Sequence, residues 1–89
     1  MDLYWATKGG ADPIAYFDRY PGRFPLVHVK GMAKDGSMTS VGADNRIDWE
    51  RIFASPNSGI QHYFVEHDNP ASPLDSIRAS YAYLSQLRF

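Results

Sequence analysis

The chain has no cysteine among its 89 residues. That alone excludes disulfide staples and thiolate metal centres, and it suits a reducing, cytoplasmic setting. Neither sign of charge is in excess: nine Lys and Arg stand against ten Asp and Glu, for a formal net charge of −1. Without a basic stripe there is no electrostatic footprint for nucleic acid or for an anionic membrane, so neither is an expected partner. No apolar run approaches the roughly 20 residues needed to cross a bilayer. Met1 leads directly into Asp2, and no signal-peptide pattern is expected there. Repeats and low-complexity segments are also missing. Aromatic residues, by contrast, are plentiful at 15%, which points to a packed core rather than disorder. A single domain of this length buries only about 60–65% of its unfolded surface.

Turn and cap residues divide the chain into short elements. Asp2 to Trp5 reads as a strand remnant whose first half is missing. Lys8-Gly9-Gly10 is a turn. Asp12-Pro13 is an N-cap followed by proline at the first helical position. Ile14, Phe17 and Tyr20 then recur at helical spacing until Pro21-Gly22 stops the helix. Pro25 to Lys30 is a β-branched strand opened by proline. Residues 31 to 45 are polar and aperiodic, and read as one long loop. Asp48 caps a short helix through Ala54, and Pro56 to Gly59 ends it. Gln61 to Glu66 is the third strand, followed by an Asn69-Pro70 turn. Ser72-Pro73 opens a last helix with an apolar stripe of Leu74, Ile77, Tyr81, Leu84 and Leu87. The order β-α-β-loop-α-β-α predicts an α/β fold with parallel strands, all within one domain spanning residues 1–89.

Three ligand-type residues fall at the ends of those strands: Asp2, His28 and Glu66. Two carboxylates and an imidazole form a donor set for a hard or borderline divalent metal ion such as Mn, Mg, Co or Zn. The gaps between them are 26 and 38 residues, averaging 32. One unit of an eight-fold (β/α) barrel takes roughly 31 residues, so the chain matches about three consecutive units and is far too short for a whole barrel. Side chains alternate faces along a strand. The inner face is then expected to carry Asp2, Tyr4, His28, Lys30, His62 and Glu66, while Val27, Val29, Tyr63 and Val65 pack against helices. Each residue also has a plainer reading: Asp2 as a solvated terminal group, His28 as a hydrogen-bonded core histidine, Lys30 as the point where a strand meets water. Glu66 is the most informative, because a carboxylate ending a buried strand is costly unless it is paired or metal-bound. Trp5 is either a stacking surface for a sugar ring or a large core residue. His62 and His67 read as structural.

The blocks Asp2-Leu3-Tyr4-Trp5 with Gly9-Gly10-Ala11-Asp12-Pro13, Phe24-Pro25-Leu26-Val27-His28-Val29-Lys30, Ile47-Asp48-Trp49 with Ile52-Phe53, and His62-Tyr63-Phe64-Val65-Glu66-His67-Asp68 resemble the C-terminal part of sugar phosphate isomerases/epimerases of the xylose-isomerase-like TIM-barrel superfamily. The resemblance covers nearly the whole chain. It implies that Asp2, His28 and Glu66 match three of four divalent-metal ligands, the fourth being a glutamate on an earlier strand. It implies a sugar or sugar phosphate as substrate, with a proton transferred beside a carbonyl, Glu66 taking part in that transfer and Lys30 orienting a substrate oxygen. Two departures stand out. Gly31 replaces an aspartate that often follows the His-Val-Lys run in the family. Ala43-Asp44-Asn45-Arg46 stands where the family's loop before Ile47-Asp48-Trp49 usually has a second glycine, and the loop is one residue longer.

Three parallel strands taken alone leave open edges and an uncovered inner face. The expected consequence is an inactive fragment that self-associates or pairs with the missing barrel segment. The alternative is a non-catalytic α/β module whose strand-end residues are relics. A metal-dependent endonuclease of the same superfamily fits poorly with the near-neutral charge.

Overall fold

The computed structural model covers Met1–Phe89. Eight short elements run in the order α1 (Leu3–Lys8), α2 (Pro13–Arg19), β1 (Leu26–Val29), β2 (Gly31–Met32), β3 (Met38–Thr39), α3 (Trp49–Ala54), β4 (His62–Val65) and α4 (Pro73–Leu84). β1 and β4 form a two-stranded parallel sheet with Leu26 opposite His62 and Val29 opposite Val65. β2 and β3 form a separate antiparallel hairpin. The molecule is therefore a small α/β domain, and only 17 Å across its thinnest axis.

Local chemistry accounts for the helices. Asp12 accepts from the Ile14 N–H and Asp48 from the Arg51 N–H, each satisfying a donor that the first turn leaves free. Pro13 and Pro73 sit in the first turns of their helices, where the missing N–H costs nothing. Gly10 follows α1 with φ of +91°, a backbone state that favours glycine. The sequence reading of Lys8-Gly9-Gly10 as a turn and of Asp12 and Asp48 as caps agrees with this.

The first element differs from expectation. Residues Leu3–Lys8 are helical, and only Asp2 makes a strand contact, a single parallel bridge to His28. The Asp2 carboxylate accepts the Trp5 N–H at 3.0 Å, so the residue serves as an N-cap. Once the chain turns helical there, Tyr4 can no longer share the face of Asp2. Its ring is buried and its hydroxyl donates to the Gly36 carbonyl at 2.8 Å. The bridge still places Asp2 against the edge of β1, because the His28 N–H donates to the Met1 carbonyl at 2.9 Å. The long loop also contains more order than its composition suggested. β2 and β3 close a hairpin inside it, helped by Gly36 at φ of +91°.

Leu3, Tyr4, Phe17, Val27, Val29, Met32, Val41, Ile47, Trp49 and Ile52 make one core. β1 alternates as expected: Val27 and Val29 are buried, while Leu26 and His28 face outward. Burial along β4 does not alternate. Tyr63 and Val65, expected to pack under helices, stay partly exposed: the Tyr63 ring meets Phe53 of α3 at 5.3 Å, and an open groove separates both residues from α4. The stripe on α4 behaves in the same way. Leu74, Ile77 and Tyr81 face solvent, and the side turned inward is marked by Ser80, whose hydroxyl accepts the Val41 N–H at 2.9 Å. Only the C-terminal end of the stripe, Leu84 and Leu87, packs partly on the core.

Candidate functional site

The open face of the β1–β4 sheet ends in a cluster of charged side chains. His28 leaves β1 on the face opposite Val27 and Val29, and Lys30 follows two residues later on the same side. Glu66 directly follows β4, anchored by its N–H donating to the Val29 carbonyl at 3.0 Å. Asp2 arrives from the other side through its bridge to His28. Three residues far apart in sequence are thereby brought to one place. His28 Nδ1 lies 3.4 Å from Asp2 Oδ2, and Nε2 lies 3.3 Å from Glu66 Oε1. The imidazole also meets the edge of Phe64, with ring centroids 6.2 Å apart.

Lys30 is the centre of the cluster. Its side chain is only 6% exposed, and its Nζ lies 2.9 Å from Asp2 Oδ2, 3.2 Å from Asp68 Oδ2 and 3.9 Å from Glu66 Oε2. The ammonium is the counter-charge of three carboxylates, and its stem is packed rather than released to water. That corrects the reading of Lys30 as a group meeting solvent at the rim. Asp68 was not singled out as a site residue. The signal was present: it stands two residues beyond Glu66, so the alternation that put Glu66 on this face continues to it. Trp5 reaches the cluster through its backbone N–H on Asp2, and its ring is exposed and set edge-on to Tyr4 at 4.9 Å. His67 is held by the Ser76 hydroxyl at 2.7 Å, in keeping with a structural role, and His62 is exposed at the start of β4.

The donor chemistry of Asp2, His28, Glu66 and Asp68 suits a hard or borderline divalent ion. As placed, however, no three His, Asp or Glu side chains surround one point that could hold a metal ion. The geometry gives the reason. His28 directs its two ring nitrogens at two different carboxylates, and the Lys30 ammonium sits among the acids where a cation would be drawn.

The charge balance sets a pH dependence. Partial burial pushes the Asp2 carboxyl up, but the Trp5 N–H, the Lys30 ammonium and His28 together outweigh it and hold the group below its ordinary value of 3.8. Its stabilising contribution is complete above that value and is lost as the pH falls through the depressed one. Burial likewise pushes Lys30 down, and Asp2 and Asp68 outweigh it, raising the amine above its ordinary 10.5. That contribution is complete below 10.5 and is lost as the pH rises through the raised value. Thermal melts across pH should fall on both sides, and Asp2→Asn should flatten the acid limb while lowering Tm at neutral pH. An acid limb of unchanged steepness in that variant would show that Asp2 is not held by Lys30.

No protein-family model matches the chain, and no curated protein sequence matches it. No helix is long and apolar enough to cross a membrane.

Proposed function

We propose that this chain is the C-terminal portion of a xylose-isomerase-like barrel, a sugar phosphate isomerase/epimerase in which Asp2, His28 and Glu66 hold a divalent metal ion. What supports the reading is one observation: an aspartate, an imidazole and a glutamate from three separate segments meet at one end of a parallel sheet, within 3.4 Å of one another through His28. The metal would supply a Lewis acid for the carbonyl and hydroxyl oxygens of a sugar or sugar phosphate, stabilising an enediolate. Glu66, which the resemblance implies takes part in proton transfer, would move the proton, and its carboxylate is partly open to water. Asp2 and His28 orient it and hold charge. Lys30, enclosed by acids, balances them until a cation enters. The exposed ring of Trp5, three residues after Asp2, would serve as a face for a sugar. With one pair of parallel strands and no opposing wall, the 89 residues would not turn over substrate alone, and the rest of the barrel or a second copy would have to complete the site.

A second reading is favoured by the exposed apolar residues of β4 and α4. In it the chain is a non-catalytic α/β module that associates through those surfaces, and the strand-end cluster is a relic.

Calorimetric titration with Mn²⁺ separates the two. The isomerase reading expects one site in the wild type, abolished in Glu66→Gln. At ten times the dissociation constant that binding should raise stability by about 1.4 kcal/mol. A wild type that takes up no metal leaves only the relic reading.

A further inference from the structure

β4 has one bonded edge and one open edge. On the bonded side, the His62 and Glu66 N–H groups donate to the Pro25 and Val29 carbonyls at 3.1 and 3.0 Å. Backbone groups alternate between the two edges of a strand, so Tyr63 and Val65 present theirs to the open side, where no strand pairs. The side chains along this edge are bare as well: Tyr63 is 49%, Phe64 50% and Val65 39% exposed. Behind them an apolar groove of about 290 Å³ separates Tyr63 and Val65 from Ile77, Tyr81 and Leu84 of α4. An unpaired edge flanked by apolar side chains is a template for another strand.

We propose that the strand it takes is its own copy: β4 of one protomer pairs antiparallel with β4 of a second across a two-fold axis at Phe64. The choice of a second copy rests on the sequence of the edge, which is self-complementary about that residue. In this register His62 lies opposite the partner's Glu66, Tyr63 opposite the partner's Val65, and Phe64 opposite the partner's Phe64. These are an acid–base pair, an aromatic–β-branched pair and an aromatic pair, all favourable across strands. The two-fold repeats the first two, as an isologous interface requires. The backbone agrees with the side chains. Tyr63 and the partner's Val65 both turn their N–H and C=O groups to the shared edge, so they form the hydrogen-bonded pairs, and Phe64 falls in the close, non-hydrogen-bonded position. A slip of one residue would set these groups against ones that face away, and it would separate His62 from the partner's Glu66. The product is a continuous four-stranded sheet with a parallel pair at each side and an antiparallel junction at its centre. Nothing in this pairing depends on the isomerase reading or on metal.

The absence of cysteine makes the register directly readable. Opposed Phe64 residues would have Cα atoms about 4.5 Å apart, within disulfide reach. The two Leu26 residues, three strand spacings apart across the sheet and four residues apart along it, would be separated by about 20 Å. Sedimentation at micromolar concentration is expected to give twice the 10.1 kDa chain mass. Phe64→Cys should oxidise to a covalent dimer, whereas Leu26→Cys should not. Val65→Pro removes a donor from the open edge and leaves the β1 ladder intact. It should yield a monomer with unchanged circular dichroism. A monomeric wild type would overturn the proposal, as would Leu26→Cys cross-linking as readily as Phe64→Cys. A folded Val65→Pro dimer of unchanged affinity would do the same. If Val65→Pro does not fold, the two cysteine variants still decide the register.

Discussion

Gly31→Asp should cost the domain about 3 kcal/mol or more, within the range for overpacking a closed site combined with burying a charge. The residue is buried where β2 begins. A Cβ placed there would overlap the Ser40 carbonyl oxygen and stand 2.6 Å from the Thr39 carbonyl oxygen. Both obstacles are backbone, so no rotamer change relieves them. The partner strand of the hairpin would have to move away, and with it the connection to Val41, whose N–H is fixed by Ser80 of α4. The aspartate that often follows the His-Val-Lys run in the resembled family therefore cannot be seated here without rebuilding the hairpin. At about 4–8 °C per kcal/mol for a domain of this size, Tm should fall by about 12 °C or more. Gly31→Ala should lose most of the same amount. Gly10→Ala, where only the positive φ is at stake and no atom lies within 4 Å, should lose about 1 kcal/mol. Equal losses at positions 10 and 31 would show that backbone crowding is not what selects glycine beside the site.

Lys30→Met should lower stability by about 2 kcal/mol at neutral pH. Removing one member of a buried ion pair costs about 3–5 kcal/mol when the other is left fully buried. Here the three carboxylates are partly solvated, so the loss is discounted toward the value for exposed pairs. Methionine keeps the packed stem and removes only the charge, so Asp2, Glu66 and Asp68 are left to repel one another. The difference from wild type should be largest near pH 7. It should close as the pH falls through the depressed value of Asp2, and again as it rises through the raised value of Lys30. The same variant tests the metal reading from another side. With the ammonium gone, Mn²⁺ should bind more tightly than in the wild type and restore much of the lost Tm. A variant as stable as wild type at pH 7 would mean that the ammonium is not the charge holding the cluster together.

Much of the fold was legible because it is written in local chemistry. Asp12-Pro13, Asp48 and Ser72-Pro73 mark helix starts whatever surrounds them, and Val27 and Val29 announce the buried side of a strand. The alternation along β1 and β4 also placed His28, Lys30 and Glu66 on a common face. The misreadings arose where one residue type has two uses. Asp2 begins a run that suits a strand tip, yet an aspartate before an apolar segment is equally an N-cap, and the Trp5 N–H settles it. The hairpin within residues 31–45 was hidden because its strands are two residues long. It depends on Gly31 and Gly36 rather than on any periodic pattern. Tyr63, Val65 and the α4 residues Leu74, Ile77 and Tyr81 carry the apolar pattern of buried surfaces and are exposed, since pattern records what a face suits and not whether a neighbour is there to cover it. Lys30 reads as a surface residue from sequence alone, and only the convergence of three acids from distant segments explains its burial.

The central claim, that Asp2, His28 and Glu66 share one cation, is tested most directly by following the three histidine rings in the NMR spectrum during a Mn²⁺ titration. A paramagnetic ion among those residues should broaden the His28 ring signals first and most, at substoichiometric metal, ahead of those of His62 and His67. Uniform broadening of all three rings, or a His28 signal untouched by excess metal, would contradict it.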